Sequence, residues 1–148
     1  MASAATVRVR PLDELDLTEV VRIVETTGGG YDPRFWEDRV ATWLRRDPEG
    51  ALVAEVDGTV AGFMLGEVRR GEFGFAEPTG WIEVLGVDPQ HRGKAVGRAL
   101  AEALFAHFRA QGAAAVRTLV EESRPELVSF FATLGFEPAP IRPLLKRL

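Results

Sequence analysis

The segment from Gln90 to Arg98 combines glycines with cationic side chains in a way that suits phosphate binding. It lies between an apolar run that ends at Val87 and a stretch with apolar residues at helical spacing. Backbone N–H groups in the first turn of a helix have no partner within the helix and lie at the positive end of its dipole, so they stabilise an anion. An ordinary strand-to-helix turn with solvated charges explains the same residues about as well. Neither the P-loop triplet Gly-Lys-Ser/Thr nor the dinucleotide pattern Gly-x-Gly-x-x-Gly occurs in the segment.

One carboxylate, Glu83, interrupts the apolar run 81–87. A buried carboxylate needs a partner or a purpose, and proton transfer as a general base is one such purpose. An exposed position at a strand edge, or an ion pair with an arginine, is the other interpretation. Three further carboxylates near predicted strand ends are weaker candidates for the base: Glu67, Glu121 and Glu122.

Apolar alternation and helical spacing predict the elements that position these residues. Strands are predicted at residues 7–10, 51–56, 59–68, 81–87 and 115–120. Asp57–Gly58 predicts a two-residue hairpin between the second and third strands. Helices are predicted to begin near Asp13, Asp32, Arg92 and Ser123 and to end before Gly28, Asp47, Gly112 and Gly135.

The last predicted helix opens with Ser123 and Glu126 as a capping box. After it, the tail 137–148 holds three prolines and can form only short edge strands. The predicted order is therefore β1-α1-α2-β2-β3-β4-α3-β5-α4-β6/7. This order indicates an α/β fold whose mixed central sheet is antiparallel through its hairpins and parallel across the third helix, flanked by about four helices.

Composition limits the class of protein. A chain of 148 residues with 46% hydrophobic and 27% charged residues fits a single domain, residues 1–148. Without cysteine and with only His91 and His107, which we predict to be loop or surface residues, a closed zinc site is excluded and no metal is expected. A net charge of −4 argues against nucleic acid as a partner. No stretch approaches the roughly 20 apolar residues of a membrane span, so we expect a cytoplasmic protein without membrane contact.

Three segments together resemble the GNAT acetyltransferases. Gln90-x-x-Gly93-x-Ala95 resembles their pyrophosphate loop, Arg/Gln-x-x-Gly-x-Gly/Ala, and the run 82–89 resembles their fourth strand. The segment 130–136, Phe-Phe-Ala-Thr-Leu-Gly-Phe, resembles their Phe-Tyr-x-x-x-Gly-Phe ending of helix four. The predicted element order also matches over nearly the whole chain. The resemblance implies the GNAT fold and an N-acetyltransferase that moves the acetyl group of acetyl-CoA, its co-substrate, to a primary amine of a small molecule or peptide. Whether the protein forms a homodimer is left open by the resemblance.

The resemblance also implies residue roles. In the family, strand four binds the pantetheine arm and the thioester carbonyl in a gap where strands four and five separate, and the loop amides bind pyrophosphate. Carried onto this sequence, the cofactor-binding residues are Leu85, Gly86, Val87, Arg92, Gly93, Lys94, Ala95, Val96, Gly97 and Arg98. The Leu85 N–H matches the donor to the oxyanion, and Glu83 matches the glutamate that several members use as the base. Both are therefore catalytic candidates, and Glu83 is also a substrate-contacting candidate.

One residue departs from the family pattern. Many members carry a tyrosine on helix four as the acid that protonates the departing thiolate, and this chain has Phe131 there. Tyr31, the only tyrosine, follows three glycines in a loop that borders the acceptor site in related folds, so it is a candidate acid or substrate contact. The departure keeps open a non-catalytic acyl-CoA-binding module, and also an interaction domain that retains only the fold. The sequence does not identify the acceptor amine.

Overall fold

A computed structural model of the chain describes residues 6–27, 32–74 and 76–148. Five strands form one mixed sheet in the order β1-β2-β3-β4-β5. The strands are β1 (Val7–Pro11), β2 (Ala51–Val56), β3 (Thr59–Arg69), β4 (Thr79–Val87) and β5 (Val116–Thr118). The helices are α1 (Leu17–Thr26), α2 (Pro33–Arg46), α3 (Val96–Ala110) and α4 (Pro125–Thr133). The pairs β1–β2, β2–β3 and β3–β4 are antiparallel and the pair β4–β5 is parallel, which confirms the predicted mixed sheet.

The sheet separates two apolar cores, because successive side chains of a strand point to opposite faces. In β2, Val53 packs in the core that α1 and α2 cover, and Ala54 packs in the core that α3 and α4 cover. Neither side chain is accessible to solvent. The predicted hairpin at Asp57–Gly58 is confirmed, since both residues adopt the positive φ angles that a two-residue turn of this kind requires, 51° and 77°.

A β-bulge at Glu83 changes the face of the sheet to which the side chains of β4 point. In the β3–β4 pairing, Leu65 faces Val84 and Gly66 faces Ile82, so Glu83 is the extra residue on β4. As a result Ile82 packs towards α3 and α4, whereas Val84, only two positions later, packs towards α1 and α2. The bulge therefore changes which face each following side chain of β4 reaches.

The pairing of β4 with β5 ends at the bulge. Its last pair is Ile82 with Thr118, and the Thr118 hydroxyl donates to the Ile82 carbonyl over 2.9 Å. Among the described residues, no strand pairs with residues 83–87 of β4 on that side. The gap that the family resemblance implied between strands four and five is thus present, and it comprises the final five residues of β4, 83–87.

Helix α3 begins at Val96, four residues later than predicted. Gly93 and Ala95 have φ angles of 81° and 61°, in the left-handed region, which a right-handed helix cannot include. The cationic residues before Val96 therefore lie in a turn that leads into the helix.

Two predictions for the C-terminal third are wrong. No capping box forms at the start of α4: Arg124 is the N-cap residue, the Glu126 carboxylate pairs with the Arg124 side chain, and the Ser123 hydroxyl donates to Glu121. In the described tail, residues 137–148, no strand follows α4, so β6/7 is absent and β5 remains the edge. The prolines of the tail lack the N–H group that a strand ladder needs, which accounts for the second difference.

Candidate functional site

A cleft with a volume of about 480 Å³ opens where the free end of β4 meets the first turn of α3 and one side of α4. Nine of the ten predicted cofactor-binding residues border it: Leu85, Gly86, Val87, Arg92, Gly93, Ala95, Val96, Gly97 and Arg98. The tenth, Lys94, is exposed and lies outside the lining, with its Nζ 3.4 Å from Nδ1 of His91. The fold therefore brings the strand and the loop of the predicted site to one surface.

The turn before α3 presents unused backbone donors to this cleft. Within the described part of the chain, no hydrogen bond is formed by the backbone N–H groups of Gly93, Ala95, Val96, Gly97 and Arg98. The left-handed conformations of Gly93 and Ala95 direct the chain into the helix while leaving these groups free. Consecutive N–H groups in such a turn form a concave site for an anion, and the dipole of α3 adds to it.

Cationic side chains surround the same turn. Arg92, Arg98 and Arg124 border the cleft, and His91 lies beside them. The Arg98 guanidinium also donates to the Thr133 carbonyl over 3.1 Å, which links α3 to α4. Arg124 belongs to the start of α4, far along the sequence from the loop. Sequence patterns gave no signal for its position, because only the packing of α4 against α3 brings it there.

Asp88, between β4 and the loop, is a buried carboxylate that the sequence analysis did not single out. Its side chain accepts the Gln90 backbone N–H over 2.9 Å and the Arg22 guanidinium over 2.7 Å. Burial would raise the pKa of Asp88, but these hydrogen bonds and the charge of Arg22 hold it below its usual range. Asp88 therefore fixes the first turn of the loop and connects it to α1. Its position after the strand, followed by Pro89, is the signal that could have identified it as a cap.

Close packing of α3 on α4 closes one wall of the cleft. A Cβ atom on Gly97 would lie 2.9 Å from the Phe130 ring, so a side chain there would force the helices apart. Phe130 borders the cleft. Phe131, at the position where the family pattern has tyrosine, is 4% exposed and packs against Phe136 with ring centroids 5.0 Å apart. The aromatic ring that α4 presents to the cleft is thus that of Phe130.

Glu83 lies on the other side of β4, where it belongs to a network of ion pairs. Its carboxylate contacts Arg39 of α2 over 2.9 Å and also contacts Arg69 of β3. Arg69 continues the network to Glu67 and Glu72 at 3.0 and 3.3 Å. Burial alone would lower the pKa of Arg69, but the bond to Glu67 and the charge of Glu83 raise it above its usual value. The arginine-paired alternative for Glu83 is therefore what the structure shows, and its role in proton transfer stays a prediction.

The remaining predicted site residue, Tyr31, lies outside the described residues. His91 is in the loop, as predicted, whereas the prediction for His107 is wrong. The His107 side chain is only 9% exposed, and its Nε2 lies 3.1 Å from the Asp47 carboxylate. The helix turn that carries His107 packs over the junction before β2, which the sequence could not show.

Within residues 6–27, 32–74 and 76–148, no group of three histidine or carboxylate side chains could hold a metal ion. None of the helices in that part is both long and apolar enough to cross a membrane.

Comparisons with known proteins agree with this geometry. The model of the acetyltransferase (GNAT) family matches residues 17–136. A mycothiol acetyltransferase of Thermobispora bispora is 40% identical over 90 residues, which cover 61% of this chain but only 30% of that protein. An acetyltransferase of Yersinia pestis is 32% identical over 118 residues, covering 78% of this chain and 79% of the relative.

Among solved structures, the aminoglycoside N-acetyltransferase AAC(6')-Iy in complex with CoA superposes with a TM-score of 0.85. The superposition covers 99% of this chain and 98% of that one, at 16% sequence identity. At this identity the likeness shows the shared fold.

Proposed function

The chain belongs to the GNAT acetyltransferase family, and on that basis we propose that it transfers the acetyl group of acetyl-CoA to a primary amine of a small molecule or peptide. The observation that carries the proposal is the set of free N–H groups at the start of α3. They face a cleft of about 480 Å³ that continues to the unpaired end of β4. The free N–H groups of the turn can bind a diphosphate, and the unpaired backbone at the end of β4 can bind the extended arm of the cofactor.

The residues of the turn would hold the diphosphate by backbone N–H groups, with Arg92, Arg98 and Arg124 compensating its charge. Acetyl-CoA supplies an activated thioester when bound. Beyond Ile82, the backbone of β4 has no strand partner on its β5 side, so its groups are free to bind the arm of the cofactor. We assign the Leu85 N–H as the donor to the oxygen that gains charge during attack.

In the reaction, the amine nitrogen forms a bond to the carbonyl carbon, the C–S bond breaks, and CoA leaves as a thiolate. The amine must first lose the proton of its ammonium form. At pH 7 this costs roughly 4.6 kcal/mol for a lysine-like amine and about 1 kcal/mol for an α-amino group. Glu83 is our candidate base. Arg39 contacts one oxygen of its carboxylate and Arg69 contacts the other, so the amine has to use a lone pair that neither arginine occupies or displace one of them.

Protonation of the departing thiolate does not need a side chain from α4. A thiol with a pKa near roughly 8.5 is a tolerable leaving group at neutral pH. Water can supply the proton, and so can the nitrogen that has attacked the carbonyl, which must still lose a proton to become the amide. Tyr31 is a further candidate. The Tyr31→Phe variant should lower turnover less than about tenfold if water suffices, since a general acid typically contributes roughly 10² to 10⁴.

Two measurements test the function. Thiol release from acetyl-CoA is followed with a panel of amines that includes an amino sugar, an aminoglycoside, a polyamine and peptides with free N-termini. Calorimetry with CoA is carried out in parallel. Binding together with amine-dependent thiol release is the expected result. Binding without turnover on any amine would identify a non-catalytic acyl-CoA-binding module, and the lack of CoA binding would leave an interaction domain.

The partners and location of the protein are also predictions. We expect the acidic chain not to bind nucleic acid and to be located in the cytoplasm, and whether it forms a homodimer is an open question. Sedimentation at several protein concentrations measures the oligomeric state, and retention on immobilised DNA at low salt tests the expected lack of nucleic-acid binding.

A further inference from the structure

The face of the sheet that α1 and α2 cover carries a connected set of charged and aromatic side chains around Glu83. A Cβ atom on Gly80 would meet the Phe108 ring of α3, so Trp81, the next residue, points to the α2 side. The Arg69 guanidinium lies 4.8 Å from the centre of the Trp81 ring and also contacts Glu83. This set, which we call the acceptor face, consists of Arg39, Arg46, Glu67, Arg69, Glu72, Phe73, Trp81, Glu83 and Arg117.

The acceptor face lies opposite the cofactor cleft. The cleft is built from the start of α3 and from α4, whereas Arg39 and Arg46 belong to α2. A cofactor that enters the gap between β4 and β5 from the cleft therefore leaves the opposite opening for the amine. Of the three glutamates of the acceptor face, Glu83 is the one on β4, in the bulge where the gap begins.

The net charge of the acceptor face is opposite in sign to the net charge of the whole chain. Its four arginines and three glutamates give it a formal charge of +1. The whole chain has a charge of −4. Within the described residues, Arg117 forms no ion pair and lies 5.7 Å from the centre of the Phe73 ring. One cation of this face thus lacks a carboxylate partner.

Unused hydrogen-bond donors are concentrated in the same region. In the described part of the chain, the buried side-chain nitrogens without a partner are Nε1 of Trp36, Nε of Arg39 and Nε1 of Trp81. All three are donors, and no buried side-chain oxygen there is unpaired. The fold can pair an indole, since Trp43 donates to the Gly66 carbonyl over 2.9 Å. An excess of donors and positive charge favours a ligand that brings oxygen acceptors.

We propose that the acceptor is a primary amine that also carries a carboxylate, with its ammonium group on Glu83 and its carboxylate on Arg117. This inference rests on the proposed acetyl transfer. When the ammonium group displaces Arg69 from Glu83, Arg69 keeps Glu67 and Glu72 as partners. The carboxylate supplies Arg117 with the partner that it lacks. Every charge then stays paired, which a purely cationic acceptor does not achieve.

The spacing of the two groups suits such a molecule. Arg117 pairs with Trp81 across the β4–β5 ladder, and Glu83 is two residues further along β4. Two strand residues span about 7 Å and neighbouring strands lie about 5 Å apart, so the two backbone positions are separated by about 9 Å. Side chains that converge from these positions can hold an amine and a carboxylate several ångströms apart. A short ω-amino acid has this separation, and so does a peptide N-terminus followed by an acidic residue.

Matched acceptors test the inference. The first pair is Ser-Glu-Gly-Gly and Ser-Gln-Gly-Gly with amidated C-termini, together with the Ser-Lys peptide. The second pair is 4-aminobutyrate and 4-aminobutyramide, which separates a small-molecule source of the carboxylate from a peptide source. We expect kcat/KM to be at least about tenfold higher for the carboxylate member of one pair, the usual effect of a charge-assisted hydrogen bond. Values for the amide member that are equal to or higher than those for the carboxylate member in both pairs would overturn the inference, and so would a preference for the Ser-Lys peptide over Ser-Glu-Gly-Gly without a preference for 4-aminobutyrate.

Binding of the same acceptors to the protein with CoA present gives a readout that needs no turnover. Tighter binding of the carboxylate member supports the inference even if acetyl transfer is not detected, and equal or weaker binding contradicts it. Lack of CoA binding and of thiol release with every acceptor would instead count against the proposed function. The two failures are therefore distinguishable.

The variant Arg117→Gln should abolish the preference within a pair and leave the KM for acetyl-CoA unchanged. Arg8→Gln is the matched control, because Arg8 is exposed on β1, at the opposite edge of the sheet. It removes the same charge and should keep the preference of the wild type. A preference that persists in Arg117→Gln at the wild-type level would show that Arg117 does not anchor the carboxylate.

Discussion

The two sides of β4 are built in different ways. On the cleft side, the groups proposed to bind the cofactor are mainly backbone N–H groups of one continuous segment, from Gly93 to Arg98. On the acceptor face, the functional groups are side chains of four separate elements: α2, β3, β4 and β5. A backbone site needs only a turn of the right conformation, whereas a side-chain site needs distant elements to pack correctly.

This difference predicts how each side tolerates change. Substitutions on the cleft side should matter most when they alter backbone conformation. Replacing a single side chain should matter less, because three arginines share the compensation of charge. Substitutions on the acceptor face should matter through charge and pairing, with the backbone unchanged. The predictions below test this contrast from the largest expected effect to the smallest.

The largest effect is expected at Glu83. Glu83→Gln keeps the size of the side chain and removes its charge, so turnover with lysine-like or polyamine acceptors should fall by about 10² or more, as for the loss of a general base. Affinity for CoA should stay nearly unchanged. Raising the pH should restore the rate, because the amine then loses its proton without help. Steady-state kinetics between pH 7 and 10 measure this.

Glu72→Gln is the control for Glu83, because Glu72 also pairs with Arg69. It should leave turnover within about threefold of the wild type, since no proton transfer is lost. Wild-type turnover in Glu83→Gln at neutral pH would show that Glu83 only holds Arg39 and Arg69 in place.

The second effect concerns the backbone of the loop. Gly93 has a φ angle of 81°, and a Cβ atom there would meet no neighbour, so its requirement is conformational. Gly93→Pro removes one N–H group and imposes a φ near −65°, and CoA binding should weaken by more than about tenfold. Calorimetry measures the affinity.

Gly58→Pro is the matched control for the loop variant, because Gly58 has a φ angle of 77° and equally open surroundings. It should carry a similar cost in stability and bind CoA as the wild type does. Unchanged CoA affinity in folded Gly93→Pro would place the diphosphate elsewhere.

A smaller effect is expected from Asp88, which supports the loop without bordering the cleft. Asp88→Asn weakens the contact with Arg22, and the KM for acetyl-CoA should rise a few-fold while kcat is retained.

The pKa of Asp88 is lower in the folded protein than in the unfolded chain. The stabilisation that its carboxylate gives is therefore complete above the unfolded pKa of about 3.9 and is lost as pH falls through the lower folded value. The stability difference between wild type and Asp88→Asn should therefore be constant from neutral pH to about pH 5 and shrink in stronger acid.

Urea denaturation at several pH values measures this difference. Glu19→Gln serves as a control, since Glu19 is the other, more exposed partner of Arg22. A difference that is independent of pH down to pH 2, or an unchanged KM, would show that the Asp88–Arg22 pair does not position the loop.

The smallest effect is expected at Phe131. Because its ring packs in the core and the thiolate can leave unassisted, Phe131→Tyr should change kcat by less than about threefold. Phe105→Tyr, on α3 against Phe136, controls for a hydroxyl added to the same aromatic cluster. A rise in kcat of about 10² in Phe131→Tyr alone would mean that an acid on α4 had been missing after all.

Most of the fold could be predicted from the sequence. Strand and helix order, the Asp57–Gly58 hairpin and the mixed sheet follow from local periodicity and turn chemistry. The errors lie at element ends. The start of α3 depends on the left-handed residues Gly93 and Ala95, and for alanine this conformation cannot be anticipated from its propensity. Whether the tail forms a strand depends on whether pairing with β5 stabilises it by more than the loss of the hydrogen bonds that its prolines cannot donate.

The sequence by itself also singled out the residues that we propose bind the cofactor, and nine of the ten border one cleft, because most of them lie in one short segment that includes two glycines. Only the tertiary structure decided the acceptor face. The sequence could single out Glu83 but left its surroundings open, and the packing of α2 and β3 on β4 supplied Arg39 and Arg69 as its partners. Ion pairs form between residues 44 and 14 positions apart in the chain, and no local pattern specifies such contacts.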